Sequence, residues 1–364
     1  MTTLRLRAMR EDRGRFAALR DERVFVYWPH GLGDFAYLGV LLPLLEPSNR
    51  YALARFGDEY CALLDPNPHA EVLTSGTRAP SDGSEFGCAH FGLDLRRLDG
   101  REREIAVPEP LGEHLAAFGP TAMLWTDYPE TEGRTAFPFH TKARNLARAL
   151  VARERLATFD LTTRLPAAVD FGVCAELQRL VDERLRTFAP PGAHIYVLST
   201  AGYTAPRKSW EPAQARAFVD LLRRRDARAR IVTMEEPSLR DPSQWPGREI
   251  VAGYRELFDG LDAAFARVYL ALLNRAAGVV AVPAGPLHVA MVRGDIPIVG
   301  IWVTHLPEWY DEPNPLAVHV IGDAIRERGF DRRPATKTLP KGWHRKIVVG
   351  TKSIGADAVI EALT

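Results

Sequence analysis

The stretch Val24-Phe-Val-Tyr-Trp-Pro-His-Gly-Leu-Gly-Asp34 decides the fold of this chain. Its first five residues are β-branched or aromatic, which favours a short buried strand that ends at Pro29. Gly31 and Gly33 then predict a tight turn, and the apolar run from Phe35 to Leu45 has the composition of a helix. Strand, tight loop and helix in this order are typical of the start of a nucleotide-binding α/β domain.

The same order of elements starts again after the break Ala189-Pro-Pro-Gly-Ala193, which we interpret as a linker. His194–Leu198 is a predicted strand, and Trp210–Arg225 is a predicted amphipathic helix. Two such runs predict an α/β protein with two Rossmann-like domains, at residues 1–188 and 189–364, whose parallel sheets face a central cleft.

The composition excludes several classes of protein. Hydrophobic residues make up 46% of the chain and the formal net charge is +1, so no global field favours nucleic acid or membrane. No apolar run reaches the ~18 residues of a spanning helix, and Cys61, Cys88 and Cys174 are scattered as in proteins with reduced thiols. We expect a cytoplasmic protein that binds no nucleic acid and makes at most peripheral membrane contact.

The arginine-rich segment Leu4–Arg23 allows two interpretations. It is either a solvated helix face or a weak anchor on anionic lipid. The acids interspersed in it, such as Glu11 and Glu22, favour the solvated face.

In open α/β sheets ligands bind beyond the carboxyl ends of the strands, and the first polar loop there is Pro29–Asp34. Gly31 and Gly33 let the backbone approach a ligand, and His30 precedes them. Asp34 stands where the loop meets the helix, so it is either an N-cap or a general base.

The motif Gly31-x-Gly33-x-x-Ala36 also matches the dinucleotide-binding fingerprint. That fingerprint expects an acidic residue about 20 positions further on, whereas Arg55 stands nearest the end of the second strand. An NADP-dependent oxidoreductase, in which Arg55 binds the 2′-phosphate, is therefore the alternative function.

The second loop carries two adjacent cations, Arg207 and Lys208, before a helix that we expect Ser209 to cap. Cations beside free helix N–H groups stabilise a leaving diphosphate. The alternative is an exposed basic loop with Trp210 packed on the helix.

The third loop is Glu235-Glu236 after a buried strand, where a carboxylate accepts hydrogen bonds from ribose hydroxyls or is merely solvated. In the fourth loop, Gly285 and Pro286 open a helix whose amides can face a phosphate, followed by Leu287 and His288. His288 is either a donor ligand or a satisfied half-buried histidine.

The sequence has no Asp-x-Asp and no His/Asp/Glu cluster with metal-ligand spacing. If phosphates are bound, cations and helix dipoles must therefore bind them, with neither a cofactor nor an obligatory metal. The absence of a G-x-S-x-G and of a P-loop motif removes the commonest hydrolase and P-loop interpretations.

Three segments, in order, resemble motifs of one family. They are Gly31-Leu-Gly-Asp34 followed by Leu41-Leu-Pro-Leu-Leu45, then Arg207-Lys-Ser-Trp210, then Leu273-Asn-Arg-Ala-Ala-Gly-Val-Val280 with Gly285-Pro-Leu-His-Val-Ala290. Together they are similar to the ADP-heptose:lipopolysaccharide heptosyltransferase family, glycosyltransferase family nine, of the GT-B fold. The match runs from about residue 24 to residue 305.

The resemblance implies a monomer in which residues 1–188 bind the acceptor and residues 189–364 bind the nucleotide sugar. The last helix, about 353–364, is expected to pack back on the N-terminal domain. The implied reaction is a metal-independent, inverting transfer of a sugar from a nucleoside diphosphate, ADP-linked, to an acceptor hydroxyl.

The resemblance also implies a role for each polar loop. Asp34 would deprotonate the acceptor, Lys208 would hold the donor diphosphate, and Glu235 or Glu236 would bind the ribose. Gly285–His288 would contact the donor phosphates or sugar.

The chain departs from the family at Pro283-Ala284, where the family usually has Asp-Thr. The missing carboxylate and hydroxyl leave the identity of the donor sugar open, and they keep a non-catalytic GT-B protein as a further alternative. The aromatic segment Trp302–Tyr310 either shapes a different pocket or simply packs.

Overall fold

The computed structural model describes residues 1–10, 16–28, 31–55, 60–74, 99–125, 142–156, 171–201, 208–234, 250–303, 307, 314–322, 345–349 and 354–363. The chain divides into two compact units. The first comprises residues 1–172 and 264–266, and the second comprises residues 173–263 and 267–364. Within the described ranges, no helix has the length and apolar character needed to cross a membrane.

The first unit contains a six-stranded sheet. Its strands are β1 (Thr2–Arg10), β2 (Arg23–Tyr27), β3 (Arg50–Arg55), β4 (Glu71–Thr74), β5 (Asp99–Val107) and β6 (Ala122–Trp125). Their order is β4-β3-β2-β6-β1-β5, and neighbours run parallel except for the antiparallel pair β1 and β5. The helices of this unit are α1 (Leu32–Leu41), α2 (Leu111–Phe118), α3 (Lys142–Leu150) and α4 (Arg153–Leu156).

Strand β1 corrects the interpretation of the arginine-rich N-terminal segment. The expected helix face is instead a strand over Thr2–Arg10, paired with β5 and β6. Leu6 and Ala8 are buried, with exposed fractions of 2% and 1%, while Arg5 between the leucines is exposed. This alternation has the period of two that a strand requires.

The predicted first strand and helix are confirmed with shifted ends. Residues Val24–Tyr27 are all buried, as expected for a central strand covered on both faces. Helix α1 begins three residues before the predicted Phe35 and ends at Leu41, after which a 3₁₀ helix covers Leu42–Leu44. Pro43 explains this end, because proline does not fit the interior of an α-helix.

The second unit contains a seven-stranded sheet. Its strands are β7 (His194–Ser199), β8 (Ala229–Thr233), β9 (Val251–Gly253), β10 (Ala276–Ala281), β11 (Ile298–Trp302), β12 (Ala317–Gly322) and β13 (Arg345–Val349). All neighbours run parallel in the order β13-β12-β11-β10-β7-β8-β9. The helices are α5 (Ala175–Phe188), α6 (Pro212–Arg225), α7 (Tyr254–Phe258), α8 (Phe265–Leu273), α9 (Gly285–Arg293) and α10 (Ala356–Ala362). The first two residues of α8 fall in the first unit.

The division of the chain falls at Gly172/Val173, whereas the sequence placed it at 188/189. Helix α5 therefore belongs to the second unit. Its Gln178 side chain donates to the Ala271 carbonyl oxygen at 3.2 Å, and Arg275 Nε lies 2.7 Å from Asp182 Oδ1. These polar contacts attach α5 to other elements of the second unit. They join residues about 93 positions apart, so the position of α5 next to the linker did not predict them.

The last helix of the chain, α10, packs within the second unit. Helix α10 lies against α6 and against strands β11 to β13. The Trp210 indole donates to the Ile354 carbonyl oxygen at 2.7 Å, and Gln214 accepts a hydrogen bond from the Ala356 amide at 3.0 Å. The apolar residues Val359 and Ile360 belong to the core of this unit.

Both sheets reverse their winding direction at one point. From β2 the chain adds β3 and β4 on one side, and β6 then pairs with the other side of β2. From β7 it adds β8 and β9 on one side, and β10 then pairs with the other side of β7. Such topological switch points are where open α/β sheets bind ligands, so the carboxyl ends of β2 and β7 are the places to examine. The predicted class, α/β with two Rossmann-like domains, is confirmed.

Candidate functional site

In the first unit, the loop after β2 ends at Gly31, the N-cap of α1, with φ −78° and ψ 176°. Asp34 is the third residue of α1 rather than its N-cap, so the interpretation of Asp34 as the cap is wrong in position. Its Oδ2 accepts a hydrogen bond from the Gly31 amide at 3.0 Å. A carboxylate in the first turn satisfies a free amide and interacts favourably with the helix dipole.

The half-buried Asp34 carboxylate is thus held in a fixed orientation at the sheet's switch point. Its neighbours Gly33 and Phe35 are buried. The residue that follows β2, Trp28, is bonded to β3, because its amide donates to the Ala54 carbonyl oxygen at 3.3 Å. A carboxylate placed in this way can accept a proton from a substrate hydroxyl. The predicted contact residue His30 lies outside the described residues.

The NADP alternative depends on Arg55. This residue ends β3, which pairs with β2 in parallel, so its backbone lies beside the strand that leads to the glycine loop. Its side chain, which would have to bind the 2′-phosphate, is outside the described part of the chain.

In the second unit, the loop after β7 is closed by the backbone of Trp210, whose amide donates to the Thr200 carbonyl oxygen at 2.7 Å. The Trp210 ring is 2% exposed and lies 6.0 Å from the Phe218 ring, so the prediction that it packs on the helix is confirmed. Helix α6 starts later than predicted: Glu211 is its N-cap and Pro212 its first residue, which corrects the assignment of Ser209 as the cap. The reason is that proline is favoured in the first helical turn.

The loop after β10 lies beside the loop after β7. The Val282 amide donates to the Ser199 carbonyl oxygen at 2.9 Å, and the Ala284 amide donates to the Val282 carbonyl oxygen at 2.7 Å in a tight turn. Helix α9 follows, with Ala284 as an N-cap whose side chain makes no capping bond. Because the first amides of a helix have no partner within it, the Gly285 and Leu287 N–H groups are available at this end.

Lys208 connects the two loops. Its Nζ lies 3.4 Å from the Pro283 carbonyl oxygen, and the side chain is half-buried. A lysine ammonium next to the N-terminus of a helix is an electrostatic environment that favours an anion. The structure therefore brings together Lys208 and the predicted segment Gly285–His288.

The four residues of that predicted segment differ in exposure. Gly285 and Pro286 are half-buried, Leu287 is fully buried, and His288 is 6% exposed. The backbone of the first turn is therefore the part of this segment that is most accessible to a ligand. The His288 side chain is buried in α9.

Three predicted residues of the second unit, Arg207, Glu235 and Glu236, lie outside the described residues. The strand that leads to the two glutamates ends at Thr233, and the Met234 amide donates to the Leu198 carbonyl oxygen at 2.8 Å. The last described residues before the two glutamates, Thr233 and Met234, therefore lie at the carboxyl end of β8, next to β7.

Two buried hydroxyl residues at the switch point, Ser199 and Thr200, were not singled out from the sequence. Ser199 ends the central strand β7 and Thr200 follows it, and they are 1% and 3% exposed. The signal was two hydroxyl residues directly after the buried run Val197–Leu198, since buried polar side chains at a strand end require an explanation.

The motif Leu273–Val280 has a structural role. Arg275 binds both carboxylate oxygens of Asp182, at 2.7 and 2.5 Å, and Asn274 donates to the Gln178 side chain at 2.8 Å. The hydrogen bond from Arg275 holds the pKa of Asp182 below its usual value. The motif thus fastens α5 to the start of β10.

The aromatic segment begins with Trp302, which packs. It is fully buried, and its indole N–H donates to His319 Nδ1 on the neighbouring strand β12 at 2.9 Å. Residues 304–306 and 308–313 of this segment are outside the described residues. Among the residues that the structure does describe, no group of three or more His, Cys, Asp or Glu side chains is placed to hold a metal ion.

No family model matches the chain, and no curated protein matches its sequence. Solved structures do match. A glycosyl transferase family 9 protein from Veillonella parvula is 17% identical with a TM-score of 0.58, covering 94% of this chain and 96% of that chain. The ADP-heptose LPS heptosyltransferase II of E. coli is 13% identical with a TM-score of 0.50, covering 94% of this chain and 97% of that chain. The resemblance drawn from the sequence motifs is confirmed as a shared fold.

Proposed function

We propose that this chain is a glycosyltransferase that moves a sugar, a heptose or a related one, from a nucleoside diphosphate to an acceptor hydroxyl. The observation that carries the proposal is the placement of Lys208 beside the Pro283 carbonyl at the uncapped start of α9. The fold shared with two glycosyltransferases supports it.

The donor end of the proposal rests on charge. A nucleoside diphosphate leaving group develops negative charge, and the Lys208 ammonium together with the amides of Gly285 and Leu287 would stabilise it. Glu235 or Glu236 would bind the ribose hydroxyls at the end of β8. We propose that no metal is obligatory, because these groups supply the positive charge. We propose an ADP-linked donor because the family that the sequence motifs resemble uses one.

The proton transfer is assigned to Asp34. Its carboxylate takes the proton of the acceptor hydroxyl as that oxygen attacks the anomeric carbon, and the bond to the diphosphate breaks with its electron pair on the leaving oxygen. A single displacement of this kind inverts the anomeric centre. Pro283 and Ala284 offer the donor sugar neither a carboxylate nor a hydroxyl, so the sugar pocket differs here from that of the family the sequence resembles.

A thermal-shift screen against ADP, GDP, UDP, their sugar conjugates and NADPH tests the proposal. A ligand at 100 times its dissociation constant adds about 2.7 kcal/mol of stability. We expect ADP and its sugar conjugates to stabilise the chain and Lys208→Ala to remove most of that effect. Arg223→Ala is the matched control, because it removes an exposed cation from the last turn of α6, about 17 Å along the helix from its start.

Other outcomes contradict the proposal. Stabilisation by NADPH alone would favour the oxidoreductase, and no stabilisation by any nucleotide would favour a non-catalytic protein. An equal loss of the ADP effect in Lys208→Ala and Arg223→Ala would mean that general charge, and no built diphosphate site, binds the nucleotide.

A further inference from the structure

The last turn of α6 and the turn that follows it carry a dense group of positive charges. Four arginines stand within six residues there, and all four are exposed. We call them the arginine cluster: Arg223, Arg224, Arg225 and Arg228. The whole chain has 47 lysines and arginines and 46 acids, so this run is a local excess in a protein that is nearly neutral.

The acid within this run, Asp226, is bonded to groups other than the arginine side chains. Its Oδ2 lies 2.7 Å from His194 Nδ1 and accepts a hydrogen bond from the Tyr196 hydroxyl at 3.4 Å. Its Oδ1 accepts a hydrogen bond from the backbone amide of Arg228 at 3.0 Å. The carboxylate therefore fastens the turn to the start of β7 and forms no salt bridge with the cluster.

Arginines elsewhere in the second unit lie next to carboxylates. Arg275, for example, binds both oxygens of Asp182, at 2.7 and 2.5 Å. In the cluster, Arg225 lies against α10, with its Nη1 3.3 Å from the Ile360 carbonyl oxygen. The side chains of the other three members form no ion pair with any residue in the described ranges. Their charge is therefore available to a partner outside the chain.

Two further sources of negative charge lie near the cluster. The carboxyl end of α6 contributes about half an elementary charge through its backbone carbonyls. Asp220 adds one charge, but it stands midway between Arg216 and Arg224 on the helix, four residues from each. These sources together supply about one and a half negative charges against four positive ones. The surface consequently remains positive and attracts anionic partners.

The same edge of the second sheet exposes an apolar side chain. The described strands of this sheet run parallel, so the turns that precede them lie at one edge, which we call the amino edge. Arg228 directly precedes β8 and Leu316 directly precedes β12, four strand spacings or about 19 Å away. Leu316 is 43% exposed, and among the described residues only Met1 exposes a larger fraction of a large apolar side chain.

Cations next to an exposed apolar side chain fit an anionic membrane better than a nucleic acid. Lipid phosphates attract the arginines, and the boundary of the acyl chains accepts a leucine. Proteins that bind single strands stack the bases on aromatic rings, but no Phe, Tyr or Trp with a described side chain is exposed.

We infer that the amino edge of the second sheet is a docking surface for an anionic lipid bilayer. The arginine cluster binds the lipid phosphates there, and Leu316 enters the boundary between head groups and acyl chains. This inference goes beyond the proposed function and does not depend on the donor site, which lies at the opposite, carboxyl ends of the strands.

Sedimentation with lipid vesicles tests the inference. We expect the wild-type chain to bind vesicles made of equal parts phosphatidylglycerol and phosphatidylcholine at about 0.1 M salt, and to bind more weakly as added salt shortens the screening length. Vesicles of phosphatidylcholine alone should not bind it. The double variant Arg223→Ala/Arg224→Ala should lower the partition coefficient about 25-fold, since each arginine near an anionic surface contributes about 5-fold.

Two single variants separate the contributions. Arg228→Ala lies outside α6, so it repeats the charge test without changing the helix, and it should weaken binding about 5-fold. Leu316→Ser should weaken binding about 3- to 10-fold, the effect of partly burying one leucine, and leave the salt dependence unchanged. A cooperative melting transition by circular dichroism shows that each variant is folded.

The matched control is Arg179→Ala/Arg255→Ala, which removes the same charge from the second unit. Both residues are exposed, but Arg179 Nη2 is paired with Glu176 at 2.7 Å. Arg255 lies in α7, which follows the carboxyl end of β9 and is therefore at the opposite edge of the sheet. We expect this variant to bind anionic vesicles nearly as well as the wild type.

Three outcomes overturn the inference. The first is a wild-type chain that does not sediment with anionic vesicles, and the second is an equal loss in the two double variants, which would make net charge the cause. The third is binding of RNA or DNA through the cluster with no binding of vesicles. A chain that binds vesicles through the cluster but binds no nucleotide supports this inference and contradicts the proposed function.

Discussion

The Asp34 carboxylate accepts a hydrogen bond from the Gly31 amide, and in our proposal it also takes the proton of the acceptor hydroxyl. Asp34→Asn separates the two, because an asparagine oxygen can still accept the bond from Gly31 but cannot take a proton. We expect sugar transfer to fall about 10²- to 10⁴-fold, the usual contribution of a general base, with ADP affinity retained. Release of ADP from an ADP-sugar in the presence of an acceptor measures this effect.

Asp34→Ala provides the comparison for stability. It removes both the proton acceptor and the bond to Gly31, so it should lose the same activity and in addition about 1 kcal/mol of stability. Normal turnover in Asp34→Asn would exclude Asp34 as the base. Equal loss of stability in both variants would show that the Gly31 bond depends on the charge of the carboxylate.

Among the elements, strands β11 and β12 meet at a contact that only glycine permits. A Cβ at Gly300 would lie 2.6 Å from His319 Nδ1 and 2.7 Å from Trp302 Nε1, the two atoms that share a buried hydrogen bond. We therefore expect Gly300→Ala to cost about 1–3 kcal/mol of unfolding free energy, as overpacking does. Urea denaturation followed by far-UV circular dichroism measures this cost.

Gly355→Ala is the control for that substitution. Gly355 has an ordinary φ of −71°, and a Cβ there would lie 4.0 Å from the Gln214 side-chain oxygen, an ordinary van der Waals distance. Because Gly355 is the N-cap of α10, where glycine is preferred to alanine, we expect only the capping cost, about 0.5–1 kcal/mol. If Gly300→Ala is as mild as Gly355→Ala, the two strands do not pack around the Trp302–His319 bond as described.

The sequence predicts elements well where the apolar run is continuous and poorly where it alternates. Strands β2 and β7 are apolar on both faces, and their positions followed from composition. Strand β1 was missed because Arg5 and Arg7 alternate with leucines in it, a pattern that was interpreted as a solvated helix. The start of α6 was misplaced because a cap-forming Ser209 outweighed the helix-starting Pro212.

The candidate site shows a different limit of sequence reasoning. Lys208 and the turn before α9 were each identified, but their contact joins residues 75 positions apart. Only the pairing of β7 with β10 brings them together, and a single sequence does not reveal strand order.

Across the whole molecule, both units hold carboxylates whose folded state favours the charged form. In the first unit, hydrogen bonds from Thr121 and Arg7 lower the pKa of Glu22. In the second unit, the hydrogen bonds from Arg275 lower the pKa of Asp182. Burial opposes this effect at both sites, and the hydrogen bonds outweigh it.

The sign of the pH dependence follows from these lowered values. A carboxyl whose folded pKa lies below its unfolded pKa of about 4 stabilises the fold above that pH, and this stability is lost as the pH falls through the folded pKa. We expect the free energy of unfolding to change little between about pH 7 and pH 5 and to decrease below about pH 4.

Asp182→Asn should reduce stability at neutral pH and flatten the decrease below pH 4, since the titrating group is gone. Asp259→Asn, an exposed position, should leave the shape of the curve unchanged. Because the Asp182 side chain is 26% exposed and Arg275 49%, the difference between wild type and Asp182→Asn should be about 1 kcal/mol or less. Urea midpoints at pH 7, 5, 4 and 3 measure it, and an acid decrease equally steep in Asp182→Asn and the wild type would show that other carboxylates cause the whole effect.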